Sequence, residues 1–284
     1  MVRHIIPSSL KEALHYLSEG TFQIISGGTD VMVMKRNTPG LPPKEGKDLL
    51  YVANLKETHF MREDKDGLHI GSGTTLHDIE HSELVPDVLR RTISQMASPN
   101  IRHSATLTGN IANASPAGDS IVTLNLLHAK LKVECEASSR YEMVENFVLG
   151  VRKITLQPNE MITEIIIPIN YFTFTEWYKV GSRKADSISK VSFAGAYTIS
   201  KGVITDFRLA FGSVSSRVVR SHDLEKRVVG CEVDEVSKIV PLLLEDYSKI
   251  ITPIDDQRSN REYRHEVAMN ILKDFLLHLQ SEEE

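Results

Sequence analysis

Two short stretches hold residue types suited to phosphate. In Ile24-Ile25-Ser26-Gly27-Gly28-Thr29-Asp30, two glycines directly follow an apolar run. Glycines let successive backbone N–H groups turn into one concavity, and such a nest takes phosphate oxygens. The same residues also suit a plain strand-to-helix turn. The dinucleotide fingerprint lacks its third glycine here, and no G-K-[ST] follows. The second stretch, 105–120, reads ATLTGNIANASPAGDS. Its small side chains let backbone approach a ligand closely. Thr and Asn side chains can donate to phosphate, and Asp119 can accept from ribose hydroxyls. A long loop without structure of its own is usually functional. The competing reading, an Ω-loop covering the core, does not explain so many small polar groups together. Two phosphate-friendly loops suggest a dinucleotide clamped by both.

A third stretch, Lys179-Val180-Gly181-Ser182-Arg183-Lys184-Ala185-Asp186, is locally basic. It suits either a solvated loop or a cation beside an anionic ligand. His77 and His81 stand four apart on an expected helix and could hold a metal. Asp78 and Glu80 do not complete an obvious site, so a surface helix and no metal are expected. No G-x-S-x-G elbow and no H-E-x-x-H spacing occur. Cys135 and Cys231 read as structural.

The elements that must position these stretches are legible in outline. Ser9 and Glu12 form an S-x-x-E capping box, Leu10, Ala13, Leu14 and Leu17 share a helix face, and Gly20 stops it. Strands are expected at Phe22–Ser26, Leu49–Ala53, Gly67–Ile70, Leu131–Cys135 and Met161–Pro168. Val31–Lys35 suits a short helix or an extension, and the Pro- and Gly-rich Asn37–Lys47 a loop. Thr75 with Asp78 can cap one helix, and Pro86 can open another whose face holds Val88, Leu89, Ile93 and Met96. Ser98–Ser120 reads as a long ordered loop, and Ile121–Ala129 as a helix or buried run. Val191–Ser200, Lys201-Gly202 and Val203–Gly212 form a hairpin pattern. Helical patterns follow at His222–Val229, Glu232–Asp246 and Arg261–Gln280. Antiparallel strands followed by helices make the second part α+β. The boundary falls near 168–172, giving 1–168 (subdomains about 1–54 and 55–168) and 172–284.

Composition narrows the classes. The 284 residues are 41% apolar and 25% charged, with a net charge of −5. That length suits roughly two domains with a real core. Two distant cysteines exclude a disulfide scaffold, a zinc ribbon and a self-contained iron–sulfur site. The acidic balance and few aromatics argue against nucleic acid. No apolar run approaches ~18 residues, so no membrane span is expected. The first residues do not read as a secretory signal, and a cytoplasmic protein is expected. The acidic tail Glu282–Glu284 reads as solvated.

The motif ISGGTD, followed by IRHSATLTGNIANASPAGD, resembles the FAD-binding (medium) subunit of the molybdenum hydroxylases, of xanthine dehydrogenase and carbon monoxide dehydrogenase type. GLHIGSGTTLHDIE, YKVGSRKADSISKVSFAGAY and PIDDQRSNREYRHEVAMNIL extend the resemblance along the chain. It implies an α+β fold: a two-subdomain, PCMH-type FAD-binding domain of the vanillyl-alcohol-oxidase type, then an α+β domain of antiparallel sheet plus helices. It also implies site residues. Ile25, Ser26, Gly27, Gly28, Thr29 and Asp30 would form the first FAD loop, with backbone amides on the pyrophosphate. Thr106, Gly109, Asn110, Ala112 and Asn113 would form the second, on the phosphates and ribityl chain. Asp119 would hold the adenosine side, and Gly73 and Thr74 would pass near the flavin. Met161 would pack near the isoalloxazine or adenine. Lys179 would approach the pyrimidine end, where a cation stabilises the reduced ring. Met96 stands where a relative places an aromatic. The family usually writes T-L-G-G-N, and here Thr108 replaces the first glycine. A β-branched residue avoids φ > 0, so either that position takes ordinary dihedrals or the loop is rearranged.

The resemblance implies an oxidoreductase subunit with no catalytic acid or base of its own. Electrons would arrive from [2Fe–2S] clusters on a small subunit, served by a molybdopterin-binding large subunit, and leave through FAD to NAD or another acceptor. The lack of clustered cysteines agrees with clusters on another chain. The loop Arg183–Asp186 would gate NAD. A xanthine or purine dehydrogenase is the first expectation, with a carbon monoxide or nicotinate dehydrogenase next. A stand-alone flavin-binding module is the alternative class, and a self-sufficient flavin oxidase ranks third.

Overall fold

The computed structural model describes residues 2–42, 44 and 46–281. The tail Glu282–Glu284, and Pro43 and Glu45 of the expected loop, lie outside them. The chain forms two compact units, neither continuous in sequence. The first takes Met1–Pro86, Ala97–Ala114 and His128–Ile169; the second takes Asp87–Met96, Ser115–Leu127 and Asn170–Glu284.

The first unit opens with the helix Leu10–Glu19, whose Ser9 cap accepts from the Glu12 amide at 3.2 Å. The Glu12 carboxylate reaches Ser8, not Ser9, so the box closes one residue early. Ala13, Leu14 and Leu17 pack with Phe22, Leu50, Val52 and Leu55. A three-stranded parallel sheet runs His4–Ile5, Asp48–Tyr51, Phe22–Ile25. An antiparallel sheet follows, in the order Met61–Asp64, Gly67–Gly71, Met161–Ile167, Lys130–Glu134, Ser139–Met143. Every residue of its central strand, Met161–Ile167, is buried. A strand covered on both faces reads as a continuous apolar run, which accounts for the isoleucines.

In the second unit the sheet order is Phe174–Val180, Val191–Ser200, Val203–Gly212, all antiparallel. Lys201 and Gly202 both have positive φ, as a tight primed hairpin turn requires. The helices Asp87–Ser94 and Asp119–Leu126 pack on this sheet and on each other, joined by Thr92 and Thr123 hydroxyls 2.7 Å apart. Val236–Ile250 and Arg261–Gln280 complete the core with Phe193, Tyr197, Phe207, Phe211, Tyr247 and Phe275.

Three expectations need correction. The stretch 98–120 is not one loop: it contains the helices Pro99–Arg102 and Leu107–Asn113 and the start of Asp119–Leu126. Small polar residues are modest helix formers, but Thr106 caps the middle helix, and Leu107 and Ile111 anchor it in the core. The helix expected at His222–Val229 stops at Lys226. The one expected at 232–246 begins as a 3₁₀ turn, Val233–Glu235, and runs on to Ile250.

Candidate functional site

The first glycine stretch turns sharply after the strand Phe22–Ile25. Gly28, at φ +70°, caps the short helix Thr29–Met34 without any side-chain bond. The first N–H groups of a helix have no partner inside it, so those following Gly28 stay available to an anion. Gly27 has a different reason to be glycine. A Cβ there would lie 1.9 Å from the Ser104 carbonyl oxygen. The first stretch therefore sits directly on the backbone that leads into the second.

Side chains complete that junction. The Ser26 hydroxyl meets Thr106 Oγ1 at 3.2 Å. Thr106 Oγ1 also accepts from the Gly109 amide at 3.1 Å, capping Leu107–Asn113. At the far end of this helix, Asn113 Nδ2 donates to Asp30 at 2.6 Å. Arg152 donates to the Asn113 carbonyl oxygen at 3.2 Å. Thr108 is buried in ordinary helical backbone and donates to the Ser72 carbonyl oxygen at 2.9 Å. Of the two alternatives for this residue, ordinary dihedrals is the one realised.

The structure thus brings Ser26, Gly27, Gly28, Thr29, Asp30, Thr106, Gly109, Asn110, Ala112 and Asn113 together. Ile25 is the buried last residue of the strand beneath them. Gly73 and Thr74 join through Thr75, which bridges to Thr106. A Cβ on Gly73 would lie 2.6 Å from the Thr58 hydroxyl and the His59 ring, and Thr74 donates to the Phe60 carbonyl oxygen. Gly109 and Ala112, three apart on one helix, are exposed. Their smallness leaves an open face beside the uncapped amides after Gly28, which fits a phosphate-bearing ligand lying along both loops.

Three other expected residues turn their side chains inward. Met161 is 2% exposed and packs in the core with Leu14, Leu17 and Phe22. Asp119 and Lys179 face each other in the second unit at 2.7 Å, each side chain 6% exposed. Ser189 donates to Asp119 at 2.5 Å, and Lys179 donates to the Gln95 carbonyl oxygen at 2.7 Å. Burial pushes the Asp119 carboxyl above its ordinary range, while Lys179 and Ser189 pull it back. Nothing in the spacing of Gln95 and Ser189 announces their part. Met96 is buried, while Arg183 is exposed and bonds carbonyls of its own loop. His77, Glu80 and His81 bring ligand atoms within 4.8 Å of one another. Glu80, set aside in the sequence, joins because positions i, i+3 and i+4 share a helix face.

Comparison with known proteins identifies the family. Residues 1–170 match the family described as FAD binding domain in molybdopterin dehydrogenase. Residues 176–279 match the CO dehydrogenase flavoprotein C-terminal domain. The glyceraldehyde dehydrogenase medium chain of Sulfolobus acidocaldarius is 28% identical over 275 residues, covering 93% of each chain. The nicotinate dehydrogenase FAD-subunit of Eubacterium barkeri is 26% identical over 250 residues, covering 84% of this chain and 83% of its own. Among solved structures, a reconstituted CO dehydrogenase from Oligotropha carboxidovorans has the same fold, with a TM-score of 0.88 at 20% identity. It covers 99% of this chain and 98% of its own. Fold and site define an FAD-binding domain joined to a CO dehydrogenase-type C-terminal domain. The chain belongs to the medium, FAD-binding subunits of the molybdenum hydroxylase family, and is an oxidoreductase subunit.

Proposed function

We propose that this subunit holds FAD along its paired loops and relays electrons from partner [2Fe–2S] clusters to NAD or another acceptor. The carrying observation is the junction of Gly27 against Ser104, with Ser26 on Thr106 and Asp30 on Asn113. It turns two stretches eighty residues apart into one cradle. In this reading the amides after Gly28 hold the pyrophosphate. Gly109 and Ala112 give the ligand clearance, and Asn110 and Asn113 orient its polar chain. Bound FAD supplies interconversion between one- and two-electron transfer. The Lys179–Asp119 pair sets a buried charge arrangement in the second unit. Arg183 and Lys184 would attract an anionic acceptor such as NAD.

The partners would be a molybdopterin-binding large subunit and a [2Fe–2S] small subunit, in a cytoplasmic complex; the chain's two domain sequences would meet at 168–172, although the second compact unit also draws on residues before that boundary. Xanthine or another purine is the first substrate class to test. The names of relatives add glyceraldehyde, nicotinate and carbon monoxide. Tagged protein should co-purify with both partners and carry flavin absorbance, and an acceptor screen on that complex should show NAD reduction. Purification alone, with flavin, would favour the stand-alone module. No flavin after reconstitution would overturn the cradle. Arg183→Ala with Lys184→Ala should weaken NAD reduction and leave FAD content intact; unchanged NAD kinetics would remove the gate.

A further inference from the structure

We propose that His77, Glu80 and His81 form a binding site for a borderline divalent cation, Zn²⁺ first among them. His77 and Glu80 lie on the short helix Leu76–Glu80, and His81 is its C-cap. Their ligand atoms already lie within 4.8 Å of one another. Helical spacing has done most of the gathering.

Each ligand is oriented by a neighbouring group. His81 Nδ1 lies 2.8 Å from the His77 carbonyl oxygen. A carbonyl only accepts, so Nδ1 carries the proton and the Nε2 lone pair is free. This is how metal-binding imidazoles are usually fixed in one tautomer. The His77 ring is flanked on both sides, with centroids 4.3 Å from His81 and 3.8 Å from His103. Arg102 grips Glu80 through Nε at 2.7 Å and Nη2 at 3.5 Å, holding the carboxylate in place.

The donor set selects the metal. Arg102 offsets the carboxylate charge, so two neutral imidazoles dominate. Imidazole suits Zn²⁺, Cu²⁺ and Ni²⁺, whereas Mg²⁺ and Ca²⁺ want several charged or carbonyl oxygens. Three protein ligands leave a fourth, water-filled position on zinc.

The placement gives the site a consequence. Arg102 ties Glu80 to the segment whose Ser104 carbonyl rests on Gly27. The Leu76 amide donates to the Ala105 carbonyl oxygen at 2.8 Å. Occupancy would brace the backbone that supports the first glycine stretch.

The test uses the full chain with Cys135→Ser and Cys231→Ser, which removes competing thiols. After chelator treatment, Zn²⁺ alone is titrated against a chromophoric competitor. One Zn²⁺ per chain is expected, with no response to Mg²⁺. His77→Ala with His81→Ala should weaken binding by more than about 100-fold, since losing even a supporting partner costs about 10–100-fold. Its metal-free melting should match that of the parent. Should that variant fail to fold, Glu80→Gln must show the weakened binding instead. Absent Zn²⁺ binding in the parent, or unchanged affinity in the folded variant, would overturn the site.

Discussion

At the glycine loops the protein presents backbone. Its polar work falls to amides and short hydroxyls, on residues small enough to leave room, with Gly109 and Ala112 facing outward. The second unit does the reverse. Lys179, Asp119 and Ser189 turn charged and polar side chains inward and satisfy one another out of water. Arg264 behaves alike, donating to the Lys190 and Ser213 carbonyl oxygens while paired with Asp256. In the proposed reading the first region keeps the amides after Gly28 for a ligand; the second consumes its hydrogen-bonding capacity in its own architecture. Mutations should therefore separate binding from stability.

The largest effect should come from the buried pair. Lys179→Met leaves Asp119 uncompensated, and breaking such a pair costs about 3–5 kcal/mol. Denaturant unfolding would measure it, and adding Asp119→Asn should restore much of the loss. An intact midpoint for Lys179→Met would show that this charge is not confined. Gly27→Ala comes next: its Cβ cannot share space with Ser104, and overpacking costs about 1–3 kcal/mol. Unlike the first, it should also strip FAD, read as the ratio of flavin to protein absorbance. Retained flavin would refute the junction. Thr106→Ala removes a helix cap worth about 1 kcal/mol and should weaken FAD retention modestly, by equilibrium dialysis.

The smallest effect is a pH dependence carried by residues of neither region. Glu160 is held below its ordinary value of 4.5, chiefly by Arg140's hydrogen bond. A lowered folded-state value means the contribution is present above about 4.5 and lost as pH falls below it. Arg140→Gln should flatten that part of the stability–pH curve; an unaltered slope would assign it to other carboxylates.

Much of this contrast was legible beforehand, because glycine and turn chemistry are local. Gly27 and Gly28 mark a turn wherever they stand, and Lys201-Gly202 between alternating strands specifies its hairpin. Arg261–Gln280 matched its expected bounds, because its start is fixed by the Asn260 cap. What stayed hidden depends on distant partners. Leu107–Asn113 reads as a loop because Thr108, Gly109, Asn110 and Asn113 are weak helix formers; buried Leu107 and Ile111 hold it helical. Asp119 and Lys179 stand sixty residues apart, and only the fold reveals that each is the other's counter-charge. Glu80 is the exception: its spacing from His77 and His81 alone places it on their helix face.

The division of the chain has an implication for biosynthesis. Asp87–Ser94 and Asp119–Leu126 carry Val88, Leu89, Ile93, Ile121, Val122, Leu124 and Leu126, all buried within a unit whose strands begin only at Phe174. During translation these two helices leave the ribosome long before the sheet that covers them. Nascent chains must wait with greasy surfaces bare, a state prone to association. A chain cut at residue 170 would remain in that state, so the two halves are not separable modules for expression.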